Sequence, residues 1–173
     1  MRVFFAFLVI FLLCSCSCKK GIEAITRENT VLESDCPSDG ICSVEIIKDK
    51  SIIVKTDETG QIYTQFADSR DTSVLVWRYD RDNLEGFQDG SHREEIILEI
   101  KNTDTNLVLT DEELQQRKVI FGRFCFCKGQ SGYYKIVNGK LNMKKLKDIL
   151  TLELNFKISE VPQVINKINA SVK

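Results

Sequence analysis

Seven cysteines are the residues of this chain with the most chemistry to offer, and their spacing divides them into three groups. Cys14, Cys16 and Cys18 alternate in L-C-S-C-S-C, Cys36 and Cys42 bracket C-P-S-D-G-I-C, and Cys125 and Cys127 share F-C-F-C. The last four form an even set, which in an exported chain reads as a disulfide framework. Residues 125 and 127 project from the same side of a strand, so a bridge between them would force that strand out of its extended form. Cross-links from the Cys36/Cys42 loop to the Cys125/Cys127 strand are therefore expected. They would close a loop of roughly 85 residues, for about 4 kcal/mol in the chain-entropy view. A local Cys36–Cys42 bridge around Pro37 and Gly40 stays open. Two rival chemistries are weaker. Zinc sites favour C-x₂₋₄-C pairs over the C-x₅-C and C-x-C seen here. A redox dithiol usually draws a lowered thiol pKa from a helix N-terminus, and F-C-F-C runs into K-G-Q-S-G and another strand. No metal and no cofactor is implied.

Other candidate chemistry is sparse. His92 is the single histidine, and its place at the edge of a charged strand reads as a surface residue. The segment Asp80 to Asp89 is rich in carboxylates, but Leu84 and Glu85 stand fifth and sixth where a calcium loop wants Asp or Asn and then Gly. It reads as a solvated loop. G-Q-S-G at 129–132 is not the nucleophile-elbow pattern. No phosphate loop or dinucleotide fingerprint occurs, so no catalytic activity is expected.

Charge is segregated. Between Arg117 and Lys147 nine residues are basic and none acidic, whereas Asp57 to Glu113 holds fifteen acidic and five basic residues. One reading is a basic face of Arg123, Lys128, Lys135, Lys144 and Lys145, with Tyr133 and Tyr134, that meets anionic lipid or envelope glycan. The other is cross-strand pairing of this segment with acidic neighbours.

The N-terminus gives an address. Arg2 precedes an eleven-residue apolar run, Val3 to Leu13. That suits a secretory h-region of roughly 7–15 residues and falls short of the roughly 20 of a membrane span. Leu13-Cys14-Ser15-Cys16 then resembles the lipobox of bacterial lipoproteins, with Leu at −3, small residues at −2 and −1, and Cys at +1. Cys14 would have bulky Leu13 at −1, and Cys18 would have Ser15 at −3, so Cys16 is the residue the pattern selects. The C-K-K ending after a Leu- and Phe-rich run looks most like small lipoproteins of the Bacteroidota. The resemblance covers about the first twenty residues. It implies removal of residues 1–15 as a signal peptide, acylation of Cys16, and a lipid anchor in the bacterial outer membrane facing the periplasm. Lys19 and Lys20 are followed by Gly21 and Ile22 with only Glu23 acidic, a poor match to the lysine-acidic surface-export tag of that group. Membrane lipid is the first expected partner and an envelope protein or glycan the second. Nucleic acid is discounted, because the formal charge of −1 shows no basic excess.

The elements that must position these residues read as β. Residues 16–33 form the lipidated N-terminus and a tether, leaving 34–173 as one β-rich domain. Cys42–Lys48 and Ser51–Thr56 read as a hairpin around Asp49-Lys50, and Gln61–Phe66 continues it past Asp57-Glu58-Thr59-Gly60. Ser73–Tyr79, Arg93–Lys101 and Lys118–Cys127 are strand-like. Thr110-x-x-Glu113 opens one short helix to about Arg117. Tyr133–Val137 and Lys140–Lys144 around Asn138-Gly139 give the clearest hairpin signal. Ile149–Ile158 alternates with period 2, and the tail after Pro162 is a short helix or an edge strand. An antiparallel β-sandwich or small barrel with one short helix is expected. The function class is a binding or scaffolding module. The rivals are a small hydrolase using carboxylates and a thiol or metal protein.

Overall fold

The computed structural model describes residues 30–31, 36–81 and 90–173. The lipobox with Cys16, and most of the acidic Asp80–Asp89 segment, lie outside those residues. In chain order the strands are β1 (Thr30–Val31), β2 (Gly40–Ile47), β3 (Lys50–Thr56), β4 (Ile62–Asp68), β5 (Thr72–Arg81), β6 (His92–Lys101) and β7 (Asn106–Thr110). After a 3₁₀ helix (Asp111–Arg117) come β8 (Ile120–Cys125), β9 (Gly132–Lys135), β10 (Gly139–Leu146), β11 (Ile149–Phe156) and β12 (Lys167–Val172). They form a five-stranded sheet, β1-β12-β11-β10-β7, and a seven-stranded sheet, β2-β5-β6-β8-β9-β4-β3. Neighbouring strands are antiparallel throughout. Neither sheet closes on itself, so the architecture is the sandwich rather than the barrel.

The alternation of β11 explains the interface. Leu150, Leu152, Leu154 and Phe156 are all buried. With Leu141 and Met143 of β10 and Ile168 and Ala170 of β12 they pack on Leu75, Trp77, Tyr79, Ile96, Leu98 and Phe121 of the other sheet. Each such fully buried aliphatic side chain contributes about 1.5–3 kcal/mol. The runs V-L-V-W in β5 and I-I-L in β6 are continuous rather than alternating because both faces are covered. Their other face carries Val74, Val76, Ile97 and Ile120, and Ile52 of β3 packs there in a second, smaller core. The β3–β4 hairpin thus lies over the back of the central strands.

Several expectations change. The β2–β3 pair is not a hairpin: Lys48 and Asp49 turn the chain, but β2 pairs with β5 and β3 with β4. Asp49 sits at φ 55° there. The Asn138-Gly139 signal is not a hairpin either. β9 pairs with β8 and β10 with β11, so this turn carries the chain from one sheet to the other. Ile136, fully buried, still donates its N–H to Val119, while the Asn138 carbonyl already accepts from Lys157. Burial of Leu141 and Met143 against the apolar face of β11 outweighs the local turn preference. The strand expected over 118–127 stops at Cys125. The tail forms β12, and β7 forms where no strand was read. Thr30 and Val31, within the stretch read as tether, pair with Val172 and Ser171. The T-x-x-E box is present, with the Thr110 N–H donating to the Glu113 carboxylate at 3.0 Å, but it opens a 3₁₀ helix.

Candidate functional site

The disulfides form within each cysteine group, not between them: Cys36 with Cys42, and Cys125 with Cys127. The expected cross-links are ruled out by the sheet. Cys42 lies on β2 and Cys125 on β8, with β5 and β6 between them. Three inter-strand steps of about 4.8 Å separate them by about 14 Å, twice the reach of a disulfide. The same separation prevents four thiolates from converging on one zinc ion. The local Cys125–Cys127 bridge forms because β8 ends at Cys125 and the chain bends at Phe126, with Cα atoms 5.2 Å apart.

Next to this bridge lies a buried polar cluster. On β6, His92 and Glu94 share the inward phase of Ile96, Leu98 and Ile100, and in register they oppose Cys125 and Arg123 of β8. His92 is therefore not a surface residue: it is 8% exposed, with Nε2 3.1 Å from Glu94 Oε1. Glu94 is fully buried. Its carboxylate accepts from Arg123 Nη1 at 3.0 Å and from the N–H groups of Val164 and Ile165 at 2.9 and 2.8 Å. Arg123 Nη1 also donates to the Pro162 carbonyl at 2.7 Å. Burial pushes the Glu94 carboxyl up. The His92 contact and the Ile165 and Val164 N–H groups outweigh it, so its pKa falls below the ordinary value. The cluster pins the β11–β12 connection across the end of the sandwich.

This cluster also removes Arg123 from the expected basic face, since it is 8% exposed and paired. The first part of the basic segment is consumed in the same way. Arg117 Nη2 lies 2.8 Å from Asp104, and Lys118 Nζ 2.7 Å from Glu99, which also accepts from the Ile52 N–H. Tyr133 donates to Glu95 at 2.8 Å, and burial raises its hydroxyl pKa, with the Glu95 charge adding to it. Tyr134 packs on Phe121. Ser131 of G-Q-S-G donates to the Arg123 carbonyl.

The remaining lysines are exposed but do not share a face. Lys128 follows Cys127 in a turn, Lys135 ends β9, and Lys144 and Lys145 project from opposite faces of β10. Lys144 points outward over the five-stranded sheet, beside Asn106, Asn142 and Glu153. Lys145 points inward, in phase with Leu141 and Met143, to the rim of a cleft of about 640 Å³ at the open end between the sheets. Ile46, Ile100, Leu150 and Val172 form the apolar floor of this cleft. Lys48, Asp49, Asn102, Lys145, Asp148 and Lys173 ring it with polar groups. Apart from Lys145, none of these was singled out from the sequence, because four different turns and termini bring them together. The one legible signal for the buried cluster was phase: Glu94 keeps step with three inward aliphatic residues. No family model, curated protein or solved structure matches the chain.

Proposed function

We propose that this protein is an envelope lipoprotein, anchored through acylated Cys16 in a bacterial outer membrane and facing the periplasm, that acts as a binding module through its cleft. The cleft between the sheets carries this reading. Its apolar floor suits the CH-rich face of a sugar ring, and the surrounding ammonium, carboxylate and amide groups supply donors and acceptors for hydroxyl and acidic substituents. An acidic envelope glycan is the ligand class that fits. The position of the cleft agrees with a tethered module, because β1 enters the fold beside Val172 of the cleft wall. The fourteen residues from Cys16 to position 29 extend at most about 50 Å, so the cleft works close to the membrane.

The two adjacent lysines of β10 provide the test. Soluble protein lacking the signal is sedimented with isolated peptidoglycan sacculi and, separately, titrated with lipopolysaccharide. Lys145→Glu is expected to weaken binding to the bound glycan at least tenfold, while Lys144→Glu, on the opposite face, leaves it unchanged. Equal affinity of wild type and Lys145→Glu, or no binding by wild type, overturns the reading.

A further inference from the structure

At the end of the sandwich opposite the cleft, we infer that the Cys125–Cys127 disulfide is a thiol–disulfide exchange site that oxidises dithiols of unfolded exported polypeptides. The inference is independent of the cleft. The two disulfides among the described residues differ in sequence separation and in the groups beside them. Cys36 and Cys42 pack against the main core and close six residues of sequence separation. Cys125 and Cys127 are separated by two and hold one residue between them, so this bridge constrains the unfolded chain least and is correspondingly easy to give up. That one residue, Phe126, is 82% exposed. It offers an apolar contact beside the sulfurs of the kind an unfolded segment provides.

The Arg123 guanidinium beside the bridge favours a thiolate on Cys127. Arg123 Nη2 lies 4.0 Å from Cys127 Sγ. His92 opposes Cys125 in register on the same face of the sheet. A guanidinium beside a sulfur stabilises the thiolate and makes it the better leaving group. The helix N-terminus sought from the sequence is thus replaced by a buried arginine held in place by Glu94.

The exchange runs in two displacements. A substrate thiolate attacks Cys125 Sγ, the S–S bond breaks, and the electron pair leaves on Cys127 Sγ beside Arg123, giving a mixed disulfide at Cys125. The second substrate thiolate attacks the substrate sulfur of that mixed disulfide. The substrate disulfide forms and Cys125 departs as thiolate. Two electrons pass from substrate to protein, and the two protons released by the substrate thiols return to the cysteine thiolates through solvent. Repeated turnover requires re-oxidation by an aliphatic disulfide such as oxidised glutathione.

Two measurements test this on the mature soluble chain. In glutathione buffers of graded ratio, alkylation and peptide mass spectrometry report each pair separately. The Cys125–Cys127 pair is expected to be reduced with an equilibrium constant at least 100-fold larger than Cys36–Cys42, which serves as the internal reference. In the second, equimolar wild-type protein is mixed with a reduced, unstructured peptide carrying two cysteines. It should oxidise that peptide in a stoichiometric burst that the folded Cys125→Ser/Cys127→Ser double variant lacks. Joint reduction of both pairs, later reduction of Cys125–Cys127, absence of the burst, or a burst that persists in the double variant overturns the inference.

Discussion

Glu94 shows how a single residue can organise one end of this molecule. A carboxylate with no solvent exposure survives only where hydrogen bonds and charge replace water. Here Arg123, His92 and two backbone N–H groups do so. Because the folded-state pKa lies below the ordinary carboxylate value of 4.5, the unfolded chain binds the proton more tightly. The stabilisation is present in full above about pH 4.5 and is lost as pH falls through the lower folded-state value. Glu94→Gln leaves Arg123 buried without its counter-charge. It should cost about 3 kcal/mol or more at neutral pH, and urea titrations from pH 6 to 2 should show a flatter acid limb than wild type. An acid limb of unchanged slope, with wild-type stability at pH 7, would show that the cluster contributes nothing to folding.

At the scale of elements, the turn at Gly139 decides whether two strands form a hairpin or enter different sheets. Gly139 opposes Phe156 at the start of β10, with φ 156°. A side chain there would run into the Asn155 carbonyl and the Phe156 backbone. Gly139→Ala is therefore expected to destabilise by about 1–3 kcal/mol, read as a lowered urea midpoint with unchanged slope. A wild-type midpoint would mean that the crossing tolerates a Cβ. The same turn shows what the sequence could and could not disclose. Strand existence was legible wherever period or β-branching was strong, as in β5, β6 and β11. Pairing was not: Asn-Gly favours a tight turn in either role, and only the burial of Ile136 on one side and Leu141 on the other separates the two. The expected cross-links between the two cysteine groups fail for the same reason, while the local Cys36–Cys42 bridge left open by the sequence forms. The cysteine pairing depends on β5 and β6 standing between β2 and β8, a matter of sheet order that no local spacing carries. Charge segregation was legible as a pattern. Its meaning came from register, which sets Arg123 against Glu94 while Lys118 reaches Glu99.

For the whole molecule, the two ends of the sandwich carry different features. Both disulfides and the Glu94 cluster lie where β2 and β6 begin and β5 ends, whereas the cleft lies where β2 and β6 end and β5 begins. β1 lies at the cleft end, with Thr30 paired to Val172. In the proposed reading, an anchored module holds the cleft toward the membrane and the Cys125–Cys127 disulfide away from it. That proposed orientation depends on the anchor, for which the lipobox resemblance of L-C-S-C is the argument. The direct measurement is mass spectrometry of the N-terminal peptide of the mature protein, recovered from the membrane fraction of a diderm bacterium expressing the full chain. The account predicts a peptide beginning at Cys16 and carrying diacylglycerol on its sulfur, with Cys16→Ser protein retained as the uncleaved precursor. A mature chain that begins elsewhere, or an unmodified Cys16 peptide from fully membrane-bound protein, would contradict it.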